Sequence, residues 1–161
     1  MKRLILVPAI LFVLIVLGAF PAGFATNSRP FNGTMLGSGI ATSATTNSIT
    51  ATVHLQHLGK SMLVGTTMVT GVSECGGFVG IEKDTITAAN GDQVFVSGNG
   101  VSCPVSSNWT VFHDTVTFTV TGGTGRFAGS SGSGTTMTTI VITSPAGAST
   151  FTAIIAGTIT Y

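Results

Sequence analysis

Hydrophobic and polar residues alternate along most of this chain. Ile49, Ala51, Val53 and Leu55 interleave with Thr50, Thr52, His54 and Gln56. Phe112, Val116, Phe118 and Val120 interleave with His113, Thr115, Thr117 and Thr119, and Phe151, Ala153, Ile155, Ile159 and Tyr161 continue the habit to the C-terminus. A period of two puts alternate side chains on opposite faces of a strand, so each run predicts a strand with one buried face. Threonine dominates the polar faces because a β-branched side chain fits a pleated, half-buried surface. No helical period occurs beyond the first 25 residues.

Turn signals divide the runs. Asn90-Gly91 lies between "TIT" and "VFV" and predicts a tight hairpin with positive φ tolerated at both positions. Gly59, Gly98 and Pro145 mark further breaks. The result is about eight strands, near 33–43, 49–57, 61–70, 78–88, 93–102, 109–121, 133–143 and 150–161. An all-β, antiparallel set of that size removes its exposed edges by closing into a barrel. Eight strands leave an interior that side chains can fill, or that can hold one small ligand. Gly65, Gly80 and Gly157 fall inside strands and are expected to mark bulges or tight curvature.

The start of the chain differs. "MKRLILVPAILFVLIVLGAFPAGFA" has a charged pair, Lys2 and Arg3, an apolar run from Leu4 to Phe20, and small residues Gly23 and Ala25 at −3 and −1 of a cleavage site. That is the layout of a secretory signal over residues 1–25, leaving a single domain over 26–161 that is secreted, periplasmic or held at the cell surface. The alternative is an uncleaved anchor, although the run is short for a span and interrupted by Pro8. Without Lys2 and Arg3, four basic residues face five acidic ones. No basic stripe is available for phosphates, which argues against nucleic acid as a partner. In an oxidising compartment the two cysteines, Cys75 and Cys103, predict a disulfide, and no ligand cluster beside either suggests a metal.

The stretch "TGGTGRFAGSSGSGT", Thr121 to Thr135, contains the loose dinucleotide pattern at Gly123, Gly125 and Ala128. A pyrophosphate site needs a helix N-terminus after the glycines, and "SSGSGTTMTT" reads as another strand. No cofactor motif remains. Gly122, Gly123, Gly125 and Gly129 instead predict a wide turn, with Phe127 folded back as a plug and Arg126 at the rim. This motif, the terminal "GTITY", and the earlier "HLGK" and "TITAANGDQ" resemble the allene oxide cyclase and dirigent barrel group, especially its small exported bacterial members, over about Pro30 to Tyr161. The resemblance implies an eight-stranded, lipocalin-shaped barrel. The group includes cyclases of a fatty-acid epoxide and proteins that steer phenolic radical coupling, and its plant members suggest a homo-oligomer, a trimer.

Chemistry-bearing residues are sparse. Strict alternation puts Asp114 on the face of Phe112, Val116 and Phe118, where a carboxyl could act as a general acid; a one-residue bulge turning it outward is the reading we favour. Glu74 and Glu82 are expected in solvent near the Cys75 loop. His54 and His57 point to opposite faces if both lie on a strand, and His113 is remote, so no metal is expected. Trp109, Phe112 and Phe118 are candidates to line a ligand pocket, or simply core. Asn32-Gly33-Thr34 and Asn108-Trp109-Thr110 are glycosylation sequons, relevant only in a eukaryotic host. Three functions follow in order of expectation: a non-catalytic exported barrel that is structural or binds a surface partner, a carrier of a small apolar ligand, and an isomerase or cyclase acting through Asp114.

Overall fold

A computed structural model describes residues 27–161, so the signal segment expected over 1–25 lies outside the described residues. Nine strands follow in order: β1 (Ser28–Pro30), β2 (Gly33–Ala41), β3 (Thr46–Leu55), β4 (Gly59–Val72), β5 (Phe78–Thr87), β6 (Gln93–Pro104), β7 (Val111–Gly123), β8 (Ser131–Ile142) and β9 (Ala148–Thr160). Each pairs antiparallel with the next from β2 to β9, and β9 also pairs with β2, which closes an eight-stranded barrel. All eight expected strands are present. The short β1 lies outside the ring and was not anticipated. It continues the β2 edge along β9, with Pro30 opposite Thr158 and Gly33 opposite Ile155. At the break between them the Phe31 amide donates to the Gly157 carbonyl (2.8 Å) and the Gly157 amide donates to Asn32 Oδ1 (3.0 Å). That break turns the Phe31 ring into the barrel.

The two ends of the barrel are built differently. Three loops, 56–58, 88–92 and 124–130, meet at one end together with the break at Phe31 and the C-terminus. There the interior is packed: Phe31, Leu55, Leu58, Ile86, Val94, Phe118, Phe127 and Ile159 are all buried, with Phe31 edge-on to Phe118 at 5.9 Å. Burying each such side chain contributes about 1.5–3 kcal/mol. The glycine-rich turn closes this end. Gly125 has φ of +57°, and a Cβ there would run into the Asp92 carboxylate, so only glycine fits. The short 3-10 turn Gly125–Phe127 then drives the Phe127 ring inward, fully buried and 4.8 Å from the Tyr161 ring. Arg126 stays at the rim, its Nε 3.7 Å from Asp92 Oδ2 and its Nη2 donating to the His57 carbonyl at 3.4 Å. Exposed as it is, the ion pair adds little.

Two bulges break the ladders, at Thr70 between Val69 and Gly71, and at Thr121, where Phe95 pairs with Gly122 and Val96 with Val120. Gly80 lies opposite the first. Gly65 and Gly157 lie in unbroken register, and their bare backbone makes room for a neighbour instead. The β5–β6 hairpin also differs in detail from expectation. Its turn is closed by the Gly91 amide donating to the Ala88 carbonyl at 2.9 Å, and of Asn90 and Gly91 only Gly91 has positive φ.

Candidate ligand-binding site

At the opposite end, four loops (42–45, 73–77, 105–110 and 143–147) ring an open mouth. Inward positions near this mouth are small: Gly39, Gly80, Gly100, Ser102 and Ser149 stand where the closed half carries phenylalanine and leucine. The half-filled lumen is therefore hollow, with a cavity of about 420 Å³, within the range of small-molecule sites. Ile49, Val116, Ile140 and Phe151 form its apolar walls, and Asn47 and Thr67 supply a polar edge, the Asn47 Nδ2 donating to Thr67 Oγ1 at 3.2 Å. A broader depression of about 840 Å³ runs over the outer wall, but it is floored by outward threonines such as Thr52, Thr115 and Thr139 and lies open to solvent. The lumen, with its apolar walls and aromatic mouth, is the better small-molecule site.

Three aromatic rings gather at the mouth. Phe78, Trp109 and Phe112 form a triangle with 6.1 Å between each pair of centroids. Phe112 is buried, whereas Phe78 and Trp109 are exposed on their outer sides. Trp109 takes φ of +58°, a strained backbone for a bulky residue and one that the surrounding turn must hold in place. Its amide donates to the Ser106 carbonyl at 3.1 Å. The Cys75–Cys103 disulfide, with Cα atoms 5.7 Å apart, ties the loop before Phe78 to the end of β6. Two of the three expected pocket residues, Trp109 and Phe112, thus line the cavity. Phe118 does not; it belongs to the packed half.

The ionisable groups of the lumen are acidic. The register of β7 is unbroken from Val111 to Val120, so the bulge expected to turn Asp114 outward is absent and the carboxyl points inward. Its Oδ1 comes within 3.5 Å of where a Cβ on Gly100 would stand. Glu82, expected in solvent, also faces the lumen from β5. It leans on Gly98, whose imagined Cβ would lie 3.1 Å from Glu82 Cγ and 3.2 Å from Oε1. The two carboxylates approach from strands on either side of β6, where the glycines at 98 and 100 make room first for the Val116 side chain and, at 98, also for Glu82. Two residues beyond Glu82 on the same face is Asp84, only 8% exposed, with Oδ1 lacking any hydrogen-bond partner.

Burial raises all three carboxyls above the ordinary range because the charged form loses hydration. Asp114 is pushed up to about 6 and Asp84 to about 7. Glu82 is pushed up to about 8, by burial first and then by the negative charges of Asp84 and Asp114. Glu82 and Asp84 escaped the sequence reading, although "GIEKDTIT" carries a signal: Glu82, Asp84 and Ile86 share the period-two face of a buried strand. Glu74 is exposed in the Cys75 loop. His54 and His113 point out from the wall and His57 sits in a turn at φ of +71°, all exposed. Among the described residues no group of His, Cys, Asp or Glu is arranged to hold a metal ion.

Comparison with protein-family models, characterised proteins and solved structures gave no match for this chain.

Proposed function

We propose that the protein is an exported carrier that holds one small, largely apolar molecule in the open half of its barrel. The observation that carries this reading is the asymmetry of the lumen: large side chains fill one half, while glycine and serine leave about 420 Å³ in the other. A barrel with a purely structural role gains nothing from such a void, since each unfilled space forfeits packing contacts. The aromatic triangle and the disulfide brace the mouth, as a preformed entrance requires. Native mass spectrometry of the mature protein, purified mildly from its producing cells, tests the reading. A reproducible one-to-one non-covalent adduct supports it. A bare mass, together with no binding of any apolar probe, returns the balance to a structural or partner-binding role.

A second reading is favoured by the inward carboxyl of Asp114. A carboxyl pushed up to about 6 keeps its proton in mildly acidic solution and can donate it there to an epoxide oxygen or a quinone-like carbonyl, the general-acid chemistry that an isomerase or cyclase acting through Asp114 needs. Under this reading Asp114→Asn abolishes turnover of an epoxide or phenolic substrate and leaves folding intact.

A further inference from the structure

The charges of this barrel are sorted by side. Three of its five acidic residues, Glu82, Asp84 and Asp114, face inward. The basic residues of the described chain do not. Lys60 and Lys83 are exposed on outward faces, with Lys83 placed between Glu82 and Asp84 in sequence and on the other side of the sheet. Arg29 stacks over Tyr161 at the closed end, and Arg126 pairs with Asp92 there. That Arg126–Asp92 contact is the single ion pair among the described residues, so none of the three inner carboxylates has a cationic partner. The groups opposite them in register are Thr67 and Gly98 for Glu82, Gly65 and Val96 for Asp84, and Ser102 and Thr138 for Asp114. None of these titrates.

Such an arrangement is costly unless something compensates it. Asp84 states the problem most sharply: it is more than nine-tenths buried, beneath Glu82 on the same inward face, with an oxygen that no protein group satisfies. Apolar residues at 82, 84 and 114 would continue the core of the closed half at no such cost. Instead Gly65 keeps room for the Asp84 carboxylate, and Gly98 for Val116 and Glu82 together. Above them stand the rings of Phe78, Trp109 and Phe112, whose faces attract cations. An acidic floor, apolar walls and an aromatic mouth are complementary to one ligand chemistry.

Resting on the carrier reading, we infer that the ligand is an organic cation, an apolar body bearing a protonated or quaternary ammonium group that sits against Glu82 and Asp114. The same geometry turns away fatty acids and other anions, whose carboxylate would meet like charge. Neutral alcohols enter but leave the inner carboxylates unpaired.

The test is displacement of N-phenyl-1-naphthylamine, which is uncharged at neutral pH, by three eight-carbon competitors at pH 8: octyltrimethylammonium, octanol and octanoate. We expect the ammonium to displace the probe at about a tenfold lower concentration than octanol, with octanoate weakest. In the Glu82→Gln/Asp114→Asn variant the ammonium advantage over octanol, measured within that variant, falls to about twofold or less. Between pH 5 and pH 8.5 the wild-type protein gains affinity for octyltrimethylammonium as its carboxyls ionise, and affinity for octanol stays level. This pH series needs no variant and stands if the double variant does not fold. Probe binding with the ammonium no better than octanol, or with no pH dependence, overturns the inference and leaves the carrier reading intact. Failure of the probe itself to bind overturns the carrier reading as well.

Discussion

Asp84 on β5 lies directly opposite Gly65 on β4, and its carboxylate occupies the place where a side chain at position 65 would begin. The missing side chain of one residue is the space of the other. Gly65→Ala therefore forces a buried charge-bearing group to move within a closed barrel. We expect a loss of about 1–3 kcal/mol, read as a lower urea midpoint with unchanged slope. In an Asp84→Ala background the same substitution costs less, because only the Lys83 carbonyl oxygen, 2.9 Å from the new Cβ, then still crowds it.

The three inner carboxyls reverse the usual acid sensitivity of proteins. Their folded values, about 6, 7 and 8, lie above the unfolded values near 4. The folded state thus holds more protons than the unfolded state between about pH 4 and pH 8, and stability falls as pH rises through that window. Below about pH 4 both states are protonated and this contribution is fully present. Unfolding free energies from urea titration are expected to be higher at pH 5 than at pH 8.5, by an amount on the order of a few kcal/mol. Glu82→Gln should flatten the profile. A profile that rises with pH over the same range contradicts the inward placement of these groups.

Reduction of the Cys75–Cys103 bridge releases a constraint across 28 residues of sequence. Chain entropy predicts a loss of about 3–4 kcal/mol, so Cys75→Ser/Cys103→Ser should unfold at lower temperature. Because the bridge anchors the loop before Phe78, the emission of Trp109, the sole tryptophan, should also shift to the red in the folded variant.

Phe127 plugs the closed end with no exposed surface. Its truncation in Phe127→Ala removes a fully buried ring and leaves a void, for an expected loss of about 3–5 kcal/mol by denaturant titration. Trp109→Ala, at the open mouth, should cost far less stability while weakening the binding of apolar probes. This contrast distinguishes a packed end from a receiving one.

Much of this architecture is legible in the sequence, and for a physical reason. Period-two alternation with threonine outward specifies both strand and face, and the glycine-rich turn specifies Phe127 as a plug. What escaped was where the lumen is empty, because a glycine at an inward position reads locally as a bend. Gly98 and Gly100 acquire meaning only when β5 and β7 bring Glu82 and Val116 alongside them. Alternation alone places Asp114 inward, and the bulge that would turn it outward, a common feature of barrels, is absent from β7 between Val111 and Val120. Glu82 was assigned to solvent by its nearness in sequence to Cys75, whereas alternation along β5 turns it inward. The left-handed backbone of Trp109 has no sequence signal, since bulky residues rarely adopt it.

The central claim is that the open half of the barrel receives a small molecule. The most direct measurement is energy transfer from Trp109 to N-phenyl-1-naphthylamine in wild-type protein and in Ser149→Phe, which places a ring inside the cavity close to its mouth and leaves the carboxylates unchanged. Saturable, one-to-one transfer is expected in the wild type, and its loss in a folded Ser149→Phe. Absence of saturable transfer in the wild type, or equal transfer in both proteins, would contradict it.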